Sequence, residues 1–445
     1  MRLFSFHGTD SNIAYSNKHH PPRVEKTLIT SSFTLIFLAM LALSAGIRLW
    51  LAQRQRSHVL EHRQAPPAAF RDKIPASAHQ RAADYTVAKV RLETLDIFIS
   101  AAVLLGWTLG GGLDLVDSAW RGLELSPLIA GVGVLLTVFI VSQLLDLPLS
   151  VYHTFGLEQR FGFNRTSPKV FLADLLKQGI LLLVLGTPLA WVVLWLLENA
   201  GALWWLYTWA VWMGFMLLMM WAYPAFIAPL FNKFQPLADE GLRDRVLALL
   251  SRNGFASQGI FVMDGSRRSG HGNAYFTGLG ANKRIVFFDT LLDKLTADEI
   301  EAVLAHELGH FKRRHIHKRI VLTAALTLAG LAILGALMAQ PWFYSGLGVS
   351  QPSSHLGLIL FLLVAPVFNF FVQPVMAWLM RKHEFEADDF AARQSDPQNL
   401  IRALVKLYEE NAATLTPDPL YSAYHDSHPP APVRIANLSA KLSKR

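Results

Sequence analysis

"LAHELGHFKRRHIHKRIVLTAALTLAGLAILGALMA", residues 304–339, changes character at Ile320. Up to Arg319 it is polar and strongly basic; from Ile320 to Ala339 it is apolar without a charge. A helix needs ~20 such residues to cross the hydrocarbon layer of a bilayer. The second half therefore reads as a membrane span, and "FKRRHIHK", with His315 and His317, as the basic collar at its entrance. The first half belongs to a helix that starts at Thr296. That residue is a good N-cap, and Glu299 three positions on completes a capping box. A polar helix is thus joined directly to a spanning one.

Six further runs have the same apolar character: Leu28–Leu51, Leu95–Leu115, Pro127–Tyr152, Gly179–Leu197, Leu203–Leu230 and His355–Leu379. One such run reads equally well as a buried core helix; seven in one chain do not. The composition agrees, with 52% hydrophobic and only 17% charged residues in 445, where soluble chains carry about a quarter charged. The first run is too long for a signal-peptide core and lacks a small-residue cleavage site, so it is expected to be retained. The net charge of +8 sits on Lys and Arg flanking the apolar runs, which is the positive-inside pattern rather than a nucleic-acid surface. Membrane lipid is therefore expected as a partner and nucleic acid is not. The absence of cysteine excludes disulfides and thiolate metal sites. Aromatic clusters such as "LWWLYTWAVW" read as interfacial belt and packing.

Sidedness follows from the same charges. The segment after the first run carries Arg54, Arg56, Arg63, Arg71, Lys73, Arg81, Lys89 and Arg91, and the one after the third carries Arg160, Arg165, Lys169 and Lys177. The segment after the fifth and the C-terminal tail are also basic. Strict alternation places all four on one side, leaving "ENAGA", the uncharged Gln340–Ser354 loop and the acidic Asp114, Asp117 and Glu124 on the other. The basic side is expected to be cytoplasmic, in either a bacterial inner membrane or an ER-type membrane. The N-terminal tail, with Arg2, Lys18, Arg23 and Lys26, falls on the opposite side, against the rule.

The expected plan is a tail over 1–27, five spans over 28–231, and a second domain over 232–445 that contains a membrane hairpin at about 320–379 and a C-terminal tail. The soluble part opens with "GLRDRVLALLSRNGF", whose Leu242, Val246, Leu249 and Leu250 share a helical face. "GIFVMD" and "RIVFFD" read as strands, and "GNAYFTGLGANKRIVFF" as a hairpin turning at "GANK". The connector "RQAPPAAFRDKIPASAH" reads as loop.

Chemistry concentrates on His306, Glu307 and His310. Residues four apart share a helix face, so both imidazoles can turn toward one cation. Zinc suits nitrogen and oxygen ligands in four-coordinate geometry. Glu307 lies about 100° round the helix from His306, beside the metal rather than on it. There it can take a proton from water whose pKa the ion lowers to ~7, which is the H-E-x-x-H logic. Gly309 inside the motif costs about 1 kcal/mol relative to alanine and implies close approach of another element. A catalytic zinc also needs a third ligand and an open fourth position. The position ten residues after His306 is Ile316, which cannot serve. "MRKHEFEADDFA" can: Glu384 and Asp388 are four apart, so Glu384 can reach the metal and Asp388 can fix a ligand imidazole from behind. Glu386 points to another face. Two spans separate Ile320 from Leu379, so the chain returns Glu384 to the side of His306 and His310.

These motifs resemble the integral-membrane zinc metallopeptidases of the CAAX prenyl protease (type I) family. The resemblance includes "AHQRAADY", "YHTFGLEQRFGFNRTSPKVFLADLLK", "AYPAFIAPLFNKFQPL", "DGSRRSGHGNAYFTGLGANKRIVFFDTLL" and "HDSHPPAPVR", and covers about Leu28 to Leu438. It implies a mainly α polytopic membrane protein, with about seven transmembrane helices enclosing a chamber and a small α/β gluzincin-like catalytic domain. It implies one Zn2+ on His306, His310 and Glu384, Glu307 as general base, and Asp388 behind the ligands. His271 and Asn273 would bind substrate; His428 and Arg434 would hold the site and the developing oxyanion. Substrates would be peptides or proteins, membrane-associated or lipidated, including prenylated ones. Met380 stands where the family often has Ser. The same residues would serve a quality-control membrane protease. A transporter or channel with a structural zinc is the rival from another class, and an open ligand set beside Glu307 speaks against it.

Overall fold

The computed structural model describes residues 23–255, 257–277 and 283–442. The first 22 residues and the Gly280–Asn282 part of the expected "GANK" turn lie outside them. The membrane part begins with α1 (Arg23–Glu61) and α2 (Ala76–Trp107), which pack side by side. A short α3 (Gly112–Arg121) follows, then α4 (Pro127–Val151), which runs on through a π-helical turn to Glu158. α5 (Pro168–Leu181) and α6 (Thr187–Asn199) form one rod through another π-helical turn, and α7 (Trp204–Ala222) continues into α8 (Ala228–Phe231). Counting α12 (His315–Met338), five helical rods are long and apolar enough to cross a membrane, and two bent pairs raise the number to as many as seven.

The two bends correct the expected spans. Leu95–Leu115 is not one rod: α2 ends at Trp107, Gly111 takes φ +77°, and α3 departs at 46°. Glycine has no Cβ and accepts that left-handed backbone at little cost. The last run is likewise broken. After α13 (Pro341–Ser345), α14 (Ser354–Asn369) and α15 (Gln373–Gln394) meet at 67°. α15 therefore leaves the membrane helices as a separate arm, and that arm carries Glu384.

The catalytic part has a four-stranded sheet in the order β1–β2–β4–β3. β1 (Phe234–Pro236) is antiparallel to β2 (Ile260–Met263), β2 is parallel to β4 (Arg284–Phe288), and β3 (Ala274–Thr277) forms the expected hairpin with β4. β3 is an edge strand. Around the sheet and its core lie α9 (Glu240–Arg252), α10 (Asp289–Leu292), α11 (Ala297–Lys312), α16 (Pro397–Glu410) and α18 (Ala431–Leu442), while α17 (Pro419–His425) packs on α1 and α15. The predicted capping box opens α11, and the apolar face of α9 is buried. The α1–α2 connector is more than a loop. Phe70 and Ile74 from it are buried in the same core as Leu249, Phe287 and Leu308, which locks the membrane hairpin to the catalytic part.

Between α2, α4 and the α16–α18 segment lies a cavity of about 890 Å³. Lys89, Glu93, Asp96, Asp146 and His428 are among its lining residues. The cavity fits the chamber of the expected architecture.

Candidate active site

α11 and α15 meet at Gly309. A Cβ there would lie 2.9 Å from Ala387 Cα and 3.0 Å from Ala387 O. The helix-weakening glycine inside the motif is thereby explained: it lets two backbones touch, so that side chains from both helices converge. His306 Nε2 and His310 Nε2 are 3.3 Å apart. Glu384 Oε2 lies 3.4 Å from the first and Oε1 lies 3.2 Å from the second. All three ligand-capable atoms fall within 4.8 Å of one another.

This donor set fits a divalent cation. Two imidazole nitrogens and a carboxylate face one another, and the buried Glu384 Oε2 has no hydrogen-bond partner. Asp388 Oδ1 is 2.9 Å from His306 Nδ1 and accepts its proton, which leaves Nε2 with its lone pair turned inward. Burial, the largest influence, and Arg434 both push the His306 pKa down, but Asp388 and Glu384 outweigh them and hold it at about 9. The pocket thus favours positive charge at His306.

Arg434 stands behind His306 and also reaches Glu384, with Nη1 3.6 Å from Oε2. It is buried, and its Nε and Nη2 make a forked pair with Asp388 at 2.9 and 2.6 Å. Burial works against its charge, but Asp388 and Glu384 raise its pKa further. His428 is the opposite case. Its side chain is 65% exposed toward the cavity, yet Nε2 lies 3.4 Å from Glu384 Oε1. Glu307 is half-buried next to His306, and among the described residues it has no hydrogen-bond or ion-pair partner. Its carboxylate is therefore uncommitted.

Asn273 sits at the head of β3; its side chain accepts from the Ala274 amide at 2.8 Å and its carbonyl from the Phe288 amide at 3.0 Å. His271 is more committed than its sequence context suggests. It stacks on Phe163 at 4.2 Å, with Nε2 3.4 Å from Glu158 and Nδ1 3.2 Å from Asn411. Glu158 also accepts a short hydrogen bond from Tyr85. Sequence reasoning missed this knot because its members lie on separate elements with no shared spacing.

It also misread His315. As a collar residue it would face the interface, but it is 1% exposed and touches His310. α11 stops at Lys312 and Arg314 takes φ +56°, so the chain turns before α12 and swings His315 inward. Glu386, expected on another face, is paired with His315 at 3.0 Å and with Lys318 at 3.7 Å. A second group with ligand character, His58, Glu61 and His62, lies in and just after the last turn of α1 and is largely exposed.

The fold and the site define a multi-pass membrane metalloprotease. Residues 55–233 match the family described as CAAX prenyl protease N-terminal, five membrane helices, and residues 236–442 match peptidase family M48. The chain is 38% identical over 304 residues to the Arabidopsis thaliana CAAX prenyl protease 1 homolog, covering 68% of this chain and 72% of that protein. It is 36% identical over 323 residues to CAAX prenyl protease 1 of Saccharomyces cerevisiae, covering 68% and 71%. The crystal structure of S. mikatae Ste24p superposes with a TM-score of 0.84 at 32% identity, covering 94% of this chain and 100% of that one. The chain belongs to the CAAX prenyl protease 1 family of M48 peptidases.

Proposed function

We propose that this protein is a zinc-dependent endopeptidase that cleaves membrane-associated proteins carrying prenylated, CAAX-type C-termini. The observation that carries the reading is the convergence of His306, His310 and Glu384, with Glu307 one residue after the first ligand and its carboxylate uncommitted among the described residues. The relatives are named as CAAX prenyl proteases, and a peptide chamber beside the site suits a substrate delivered at membrane depth.

In this reading His306, His310 and Glu384 hold the ion. Its chemistry when bound is Lewis acidity toward the scissile carbonyl and a lowered pKa for water. Glu307 accepts the proton of the attacking water and returns it to the leaving amine. His428, on the cavity side, donates to the oxygen that gains charge in the transition state. Arg434 acts through Asp388, keeping His306 in the tautomer that presents Nε2. Asn273 opens the edge strand β3, along which an extended peptide can add as a further strand. His271, tied to Glu158 and Asn411, fixes where that strand begins. The division at about residue 231 and a cytoplasmic catalytic side complete the proposal.

Purified protein is tested on paired farnesylated and bare peptides, with cleavage sites mapped by mass spectrometry and a chelator control. Faster, chelator-sensitive cleavage of the farnesylated member is expected. Equal rates on both would favour a quality-control protease. Zinc-loaded protein inert on diverse peptides would overturn the enzymatic role of these residues.

A further inference from the structure

The two imidazoles of the candidate metal site are held from behind in different ways. His306 meets a carboxylate directly, through Asp388. His310 does not. Its Nδ1 faces another imidazole, with His315 Nδ1 3.0 Å away, and His315 Nε2 lies 3.0 Å from Glu386 Oε2. His315 is 1% exposed and stacks on His383 at 4.0 Å and 13°, which fixes its ring plane.

With both imidazoles neutral, only one arrangement of protons makes every bond in this chain. An ionised carboxylate only accepts, so His315 Nε2 carries the proton toward Glu386. A neutral imidazole has one N–H, so His315 Nδ1 is then bare and accepts from His310 Nδ1–H. His310 Nε2 is left bare, and that is the nitrogen turned toward His306 and Glu384. The reverse arrangement would set a proton on His310 Nε2 and close it to a cation. We infer that His315 is a positioning residue for His310, passing the orienting effect of Glu386 through one extra imidazole and keeping the His310 lone pair aimed at the metal. The left-handed Arg314 (φ +56°) is the backbone device that makes this possible. Residues with side chains are uncommon in that region, and on an unbroken helix His315 would point away from His310.

This inference rests on the zinc reading above. Its test is zinc affinity, measured by chelator competition on the detergent-solubilised full chain, with the melting temperature of the metal-free protein alongside. The variants are His315→Leu, His315→Gln and Glu386→Ala. Loss of a ligand's outer partner weakens metal binding about 10–100-fold, and that loss is expected for His315→Leu. A residue that only fills space would be replaced by leucine without it. His315→Gln should recover most of the affinity, because its amide can donate to Glu386 and accept from His310. Glu386→Ala, at a half-exposed position, should weaken zinc without unfolding the chain. It keeps the inference testable if the leucine variant does not fold. Zinc affinity within twofold of the parent in His315→Leu or Glu386→Ala, or a glutamine variant no better than leucine, would overturn the inference alone. A parent chain that binds no zinc would instead overturn the proposed function on which it rests.

Discussion

Replacing Gly309 with alanine sets two effects of opposite sign against each other. Within a helix the change should gain about 1 kcal/mol from propensity. At this position the new Cβ would sit 2.9 Å from Ala387 Cα, 3.0 Å from Ala387 O and 3.1 Å from Phe390 Cβ. Carbon atoms pack comfortably at about 3.5–4.0 Å, so α11 and α15 must part by roughly 0.6 Å or distort. Two of the three contacts are backbone and cannot swing aside. Overpacking of this kind costs about 1–3 kcal/mol, so the net change in stability is expected to be a loss of about 0–2 kcal/mol. The consequence for the site is larger. His306 and His310 belong to α11, Glu384 and Asp388 to α15, and a catalytic constellation tolerates only about 0.5 Å of error. Metal affinity and peptide cleavage should therefore fall far more than the melting temperature. The assay is thermal unfolding of the metal-free protein together with zinc competition. Gly214→Ala on α7 serves as control, since a Cβ there would meet nothing within 4 Å. A Gly309→Ala protein that melts higher and binds zinc like the parent would refute the claim that this glycine sets the ligand geometry.

Glu307→Gln should retain zinc and lose peptide cleavage by about 10²–10⁴-fold; near-parental turnover with zinc bound would remove Glu307 as the base. Arg434→Met leaves the buried Asp388 carboxylate without its forked partner. Breaking a buried pair costs about 3–5 kcal/mol, so a large drop in melting temperature is expected, and an unchanged one would contradict the placement of Arg434 behind the ligands. In chelated protein the His306 pKa is held at about 9, above the usual histidine value. A group raised on folding stabilises fully below its unfolded pKa, ~6.5, and loses that contribution as pH climbs to its folded value. Metal-free protein should thus melt at falling temperature between about pH 6.5 and 9; a melting point that holds or rises over that window would contradict the Asp388 and Glu384 contacts. Chelation should abolish cleavage, and added zinc should restore it.

Local periodicity and parity carried much of this protein. Runs of ~20 apolar residues reveal spanning helices in the sequence because a bilayer imposes the requirement residue by residue. The capping box at Thr296 and the shared face of His306 and His310 follow from one helix's own geometry. Even the meeting of Glu384 with His306 and His310 was legible, from the expectation that two spans between them return the chain to its starting side. Tertiary structure alone decided the rest. The 46° break at Gly111 and the 67° bend into α15 interrupt runs that read as continuous in the sequence. The Tyr85–Glu158–His271 knot joins three distant segments. The forked pairing of Arg434 with Asp388 joins residues 46 apart in the chain and has no spacing signature in the sequence. His315 was misread for one physical reason: sequence spacing predicts neighbours only while the helix continues, and at Arg314 it does not.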